Sequence, residues 1–188
     1  MGRKGFVTGT VLLMMALTLL VVPLQWVMAF IMAAAFHEFC HYGAVRLCGG
    51  DVGTLWVGSC GARMEVEGLT IGKELICALA GPLGSLSLLY LARWIPRTAI
   101  CAGAHGLYNL LPGYPLDGGR ALQCLTELVL PERVGKIVCR VAQWGCLTGL
   151  LFLGFYGAFG LGLGFAPILG SVMVIVRVSN GKIPCKLK

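Results

Sequence analysis

Two histidines and a glutamate lie close together within one apolar stretch of the sequence. His37, Glu38 and His41 form the pattern HExxH, written HEFCH in this chain. In a helix, residues four apart lie on one face about 6 Å from each other, so both imidazoles can reach one tetrahedral zinc ion while the glutamate faces a water on the metal. Polar groups of this kind inside a membrane helix cost on the order of 2.5 to 3.5 kcal/mol per charge unless they have partners. The pattern therefore predicts a zinc site.

A catalytic zinc takes three protein ligands and keeps one position open, so a third ligand is expected from another apolar segment. Asp117 is the candidate, because it is the only acid between Glu74 and Glu127 and lies in the segment NLLPGYPLDGGR. The alternative role is that of a turn residue before Gly118 and Gly119. Together with the HEFCH motif, the scarcity of acids favours the ligand.

The composition indicates the kind of protein that holds these residues. The chain has 188 residues, of which 57% are hydrophobic and 12% charged, about half the charge of an ordinary soluble domain. This argues against a soluble globular protein and against disorder, and predicts an integral protein of the cell membrane. The basic residues behind the net charge of +7 are expected in cytoplasmic loops and do not indicate nucleic-acid binding. The nine cysteines include no CxxC pair and indicate buried thiols in a reducing setting.

Charge-free intervals predict an all-α polytopic membrane protein with about six transmembrane helices. The interval from Gly5 to Val45 provides two spans joined at Pro23; a cleavable signal peptide is the competing interpretation of its start. Further spans are predicted at Leu75–Ala92, at Thr98–Leu116 and, as a pair, in Val141–Val176. One kinked helix with a re-entrant piece is the alternative for the last interval.

Between the second and third spans, short β-prone runs at Val52–Val57 and Ala62–Glu67 predict a small β-hairpin. Its edge could accept an extended substrate as a further strand, or it is a simple loop. Six spans place both termini on one side, and the positive-inside rule makes that side cytoplasmic, since only Arg93 and Arg97 of the fifteen basic residues then lie opposite. The active site is expected towards the same side.

HEFCH in one span and LDGGR at the end of a later one resemble the site-2 protease family, membrane-embedded zinc metalloproteases that cut substrates within the bilayer. The segment Ala80–Ser85 is similar to the AGPxxN stretch of that family, with Ser85 in place of Asn. The resemblance extends from His37 to Arg120, and the six-span layout most resembles the branch of the stage IV sporulation protease.

This resemblance implies an intramembrane zinc endopeptidase with one zinc ion per chain. It places zinc on His37, His41 and Asp117 and the general base on Glu38. Asn109 matches a polar position of the family motif that holds substrate or oxyanion; a helix–helix hydrogen bond is its alternative role. The implied partners are the lipid bilayer and a transmembrane or membrane-associated protein substrate, such as a sigma-factor precursor or an anti-sigma factor.

The chain is expected to form a single transmembrane metalloprotease domain over residues 1–188, with a catalytic core at about 24–130 and without the CBS or PDZ domains found in relatives. His105 is expected to line a water path or to hydrogen-bond within the bundle, with a role as spare ligand as the alternative. Cys40 is expected to point away from the shared histidine face. Two other classes of function stay open: a catalytically silent zinc-binding scaffold and a metal transporter.

Overall fold

The computed structural model describes residues 22–58, 61–162 and 166–179. Its elements follow in the order α1 (Leu24–Leu47), β1 (Asp51–Gly58), β2 (Gly61–Glu67), α2 (Ile71–Ser87), α3 (Pro96–Asn109), α4 (Asp117–Val129), α5 (Glu132–Phe155) and α6 (Ala166–Ser179). A 3₁₀ turn at Leu88–Leu91 continues α2, and a π turn at Tyr156–Gly160 continues α5. The chain divides into two compact units, Met1–Tyr108 and Asn109–Lys188. The single catalytic domain inferred from the sequence stays a prediction.

In the first unit, α1 packs along α2 through small residues. A Cβ atom built on Gly84 of α2 would overlap the side chain of Cys40 on α1, so the glycine lets the two helix backbones approach closely. A buried cluster of Ala33, Leu88 and Ala102 lies in the same unit. Strands β1 and β2 pair antiparallel, with Asp51 opposite Glu67 and a register shift between Val52 and Leu55.

In the second unit, α4, α5 and α6 contact one another in chain order. Between α4 and α5, Gly135 lies against Thr126, whose hydroxyl is 3.4 Å from the Cys139 sulfur. Between α5 and α6, the Ser171 hydroxyl donates a hydrogen bond of 2.8 Å to the carbonyl of Leu150. Polar side chains thus hydrogen-bond across or along these apolar helices, as is common where no water is present.

The prediction of six membrane spans is wrong. Within the described parts of the chain, two helical stretches are long and apolar enough to cross a membrane, Ile71–Leu91 and Glu132–Gly160. The predicted span at Thr98–Leu116 forms only α3, which has 14 residues and is roughly 21 Å long against a hydrocarbon core of about 30 Å. The last interval contains one long helix, a break and the 14-residue α6. The first predicted span lies outside the described residues.

The error has a physical cause. A charge-free interval shows only that a segment is apolar, whereas a membrane span also requires a continuous helix. Pro112 and Pro115 follow α3, and proline cannot continue a helix because it lacks the amide hydrogen. Helix α1 has 24 residues but carries His37, Glu38 and His41, and it is not one of the two stretches that are long and apolar enough to cross a membrane.

The two apolar stretches are nevertheless membrane helices in character. Over 18 apolar residues of each stretch, only 33% of the first and 17% of the second is buried inside the protein, whereas a core helix of a soluble protein buries most of its apolar surface. Large apolar side chains such as Phe152 and Leu153 face outward. An exposed apolar surface of this extent favours hydrocarbon over water, which indicates a membrane protein.

Candidate metal centre

Helix α1 positions the two motif histidines next to each other. Their four-residue spacing places both rings on one face, with the ring centroids 4.7 Å apart and nearly perpendicular. The Nε2 atoms of His37 and His41 lie 3.1 Å apart, so the same nitrogen of each ring points to a common place. His37 is 2% exposed, and His41 is half-buried.

The other nitrogen of His41 is fixed by the backbone of α2. Its Nδ1 lies 2.7 Å from the carbonyl oxygen of Cys77, and because a carbonyl only accepts, Nδ1–H must be the donor. In the neutral ring, Nε2 then carries the lone pair. A Cβ on Gly81 would overlap the His41 ring, so this glycine makes the room in which the ring lies.

His37 is held from the same helix by a side chain. Its Nδ1 lies 2.9 Å from the hydroxyl oxygen of Ser85, in a buried contact between residues 48 positions apart. Ser85 itself is 0% exposed. Both histidines therefore turn Nδ1 towards α2 and Nε2 towards each other.

His105 of α3 lies beside His37. Their ring centroids are 4.5 Å apart, and His105 also makes an edge contact with Phe30 at 5.7 Å. His105 therefore contacts the ring of the buried His37. Its roles as a polar residue of the bundle or as a spare ligand both stay predictions.

In the second unit, Asp117 is the first residue of α4. The cap position before it is Leu116, and no side chain caps this helix end, so Asp117 is not the N-cap that a turn role would require. The carboxylate is half-buried at the end of the helix where the dipole favours negative charge. Gly118 and Gly119 pack on the backbone of the loop before them, where a Cβ would overlap main-chain atoms of Leu110 and Gly113.

The predicted metal ligands are taken one unit at a time. In the first unit, His37 and His41 bring two imidazole nitrogens together, and in the second unit Asp117 offers a carboxylate at the start of α4. The set of two imidazole nitrogens and one carboxylate oxygen is a donor set that zinc accepts.

The remaining predicted residues are placed as follows. Glu38 is half-buried on α1, between the two histidines in sequence, and Asn109 is the buried last residue of α3. Cys40 lies against Gly84 of α2. The roles of Glu38 and Asn109 stay predictions.

Sequence reasoning missed the partners of the histidines. Cys77, Gly81 and Ser85 occur at positions i, i+4 and i+8 of α2, and this spacing of small residues was the available signal. The spacing indicates a helix face of small residues, but it does not indicate the hydrogen bonds that Cys77 and Ser85 make to the histidines.

No protein-family model matches the chain, and no curated protein matches it. Among solved structures, the site-2 protease from Methanocaldococcus jannaschii is similar, with a TM-score of 0.65 and 17% sequence identity over 95% of this chain and 88% of that chain. The two chains share a fold. A shared fold at this identity does not by itself transfer an activity.

Proposed function

We propose that the protein is an intramembrane zinc endopeptidase of the site-2 protease kind, which cleaves peptide bonds in or near transmembrane segments of other membrane proteins. The observation that carries the proposal is the pair of Nε2 atoms of His37 and His41, 3.1 Å apart on one helix face, and Asp117 is proposed as the third ligand. The similar fold of a solved site-2 protease supports it, as do the two apolar, outward-facing helical stretches.

The two histidine nitrogens are spaced as two ligands of one zinc ion would be. Ligands on a tetrahedral zinc with bonds of about 2.0 to 2.1 Å lie about 3.4 Å apart, close to the 3.1 Å between the two histidine Nε2 atoms. The hydrogen bond from His41 to the Cys77 carbonyl leaves the lone pair of that ring on Nε2, the state in which imidazole binds a metal. With Asp117 as the third ligand, one position stays open for water or substrate.

In the proposed reaction, zinc in this site would act as a Lewis acid and lower the pKa of a water towards about 7. Glu38 takes a proton from the water as its oxygen attacks the scissile carbonyl carbon. The same carboxyl group then gives that proton to the leaving amine as the C–N bond breaks. Asn109 is proposed to donate an amide hydrogen to the substrate oxygen on which negative charge develops.

The substrate is proposed to be a transmembrane or membrane-anchored protein segment, because the helices that carry the site belong to an apolar, lipid-facing protein. Membership of the sporulation branch, and with it a sigma-factor precursor or anti-sigma factor as substrate, remains a prediction from the sequence. The same holds for the cytoplasmic location of the site and of both termini.

The test is to purify the protein in detergent, measure its metal content and incubate it with a panel of membrane-anchored substrates. We expect about one zinc per chain and cleavage by the intact protein. Glu38→Gln should keep the zinc and lose activity by roughly 10²- to 10⁴-fold, since it keeps the shape of the side chain but cannot accept the proton. His41→Ala and Asp117→Ala should lose both zinc and activity.

Glu132→Gln is the matched control. Glu132 lies at the exposed start of α5 in a salt bridge with Lys136, so this variant should cleave substrate normally. Cleavage by Glu38→Gln at the rate of the unmodified protein would refute the assigned base. Stable zinc without cleavage of any substrate would indicate the silent scaffold. Zinc flux into vesicles without cleavage would indicate the transporter.

A further inference from the structure

One face of α2 carries the contacts to both motif histidines. Cys77, Gly81 and Ser85 are all buried and lie one above another at four-residue intervals. The carbonyl of Cys77 meets His41, Gly81 makes room for the His41 ring, and Ser85 meets His37. Both proposed histidine ligands thus come from α1, and the groups around their rings come from α2.

The two histidines are held by different kinds of group. His41 faces a carbonyl, which can only accept, so its Nδ1 must carry the proton. His37 faces the hydroxyl of Ser85, which can either donate or accept. When His37 binds a metal through Nε2, its neutral ring carries the proton on Nδ1, and the hydroxyl oxygen of Ser85 is the acceptor within reach at 2.9 Å.

We propose that Ser85 is a positioning residue for His37. Its oxygen accepts the Nδ1–H hydrogen bond, which keeps the proton on Nδ1, fixes the ring plane and presents the Nε2 lone pair to the metal. The inference rests on the proposed function, because it assigns Ser85 to the same metal site. The chain thus uses one side-chain acceptor and one backbone acceptor for its two histidines, and only the first can be removed by substitution.

The experiment measures the affinity of the full-length protein for Co²⁺ and Zn²⁺ in detergent by competition with a chelator. Loss of an outer hydrogen-bond partner of a ligating histidine typically weakens metal binding by roughly 10- to 100-fold, and we expect this loss for Ser85→Ala. Ser85→Thr keeps the hydroxyl and should restore most of the affinity. Ser87→Ala is the matched control on the same helix, because the exposed Ser87 hydroxyl bonds only the carbonyl of Gly84.

A second measurement keeps the proposal falsifiable if the added methyl of threonine disturbs this fully buried position. The chain has three histidines, so selective ¹⁵N labelling gives a spectrum with few signals. In the zinc-loaded protein we expect a slowly exchanging Nδ1 proton on His37 that is lost in Ser85→Ala, while the Nδ1 proton of His41 persists. A purely structural effect of the substitution would not be confined to one ring.

The outcomes separate this inference from the proposed function. If the intact protein binds zinc and cleaves substrate, but folded Ser85→Ala binds the metal within about twofold of it and keeps the His37 signal, the role of Ser85 is refuted and the protease stands. If the intact protein binds no metal at either Nε2 atom, the proposed function fails and Ser85 has no ligand to position. Selective loss of metal affinity and of the His37 proton supports the inference.

Discussion

At the residue scale, the candidate centre depends on how closely α2 approaches the His41 ring. Gly81 has no side chain, and a methyl group at this position would overlap the imidazole. The ring also donates to the Cys77 carbonyl one turn earlier on the same helix. If the His41 ring moves away from α2, it therefore loses its hydrogen bond to the Cys77 carbonyl. The packing of the two helices thus affects metal binding directly.

Gly81→Ala should consequently weaken metal binding by roughly 10- to 100-fold, the effect of disturbing the surroundings of a metal ligand. The measurement is Zn²⁺ affinity by chelator competition. Gly72→Ala is the control, since Gly72 lies in the same helix with nothing within 4 Å of the added Cβ. Equal affinities in the two variants would contradict the contact between Gly81 and His41.

At the scale of elements, the start of α4 determines where Asp117 lies within its own unit. Gly118 and Gly119 follow Asp117 directly and lie against the main chain of the preceding loop. Backbone atoms cannot rotate away as a side-chain end can, so the helix start is fixed by contact between backbones. The aspartate is thus held by the packing of its two neighbours and not by a cap of its own.

Gly118→Ala should lower the stability of the protein by about 1 to 3 kcal/mol, the usual cost of overpacking a close contact. The free energy of unfolding in mixed micelles measures this change, and zinc content should fall in parallel because Asp117 moves. Gly145→Ala in α5 is the control, because the added methyl meets nothing within 4 Å and alanine favours helix. Normal stability of Gly118→Ala would show that the loop adapts.

At the scale of the whole molecule, the outer surface is apolar over most of the two long helical stretches. Trp144 lies near the middle of Glu132–Gly160 and is 62% exposed. A large aromatic side chain at that place should contact acyl chains in a membrane protein and water in a soluble one. Its environment therefore tests the membrane assignment directly.

A variant that keeps Trp144 and carries phenylalanine at the other three tryptophans should lose about half or more of its fluorescence in bilayers with brominated acyl chains, since the middle of a span lies in hydrocarbon. Iodide in the aqueous phase should quench it little. The reverse result, with quenching by iodide and none by the brominated lipid, would contradict a lipid-facing α5.

The sequence predicted the candidate ligands because their signals are local or compositional. The pairing of His37 with His41 follows from helical spacing, and Asp117 was identified by the scarcity of acids in an apolar chain. The structure places the Nε2 atoms of His37 and His41 3.1 Å apart and Asp117 at the start of α4. The membrane class followed from the balance of apolar and charged residues.

The number of membrane spans could not be predicted from the sequence in this way. The length of a charge-free interval does not show where a helix ends, and α3 ends at Asn109 within such an interval. The partners of the histidines did not follow either. Ser85 and Cys77 meet the histidines across 48 and 36 residues of chain, and the register between α1 and α2 that brings them together depends on packing. The sequence alone thus predicted which residues could bind a metal. Only the tertiary structure decided which groups orient them, since a hydrogen bond between two helices depends on their positions in space.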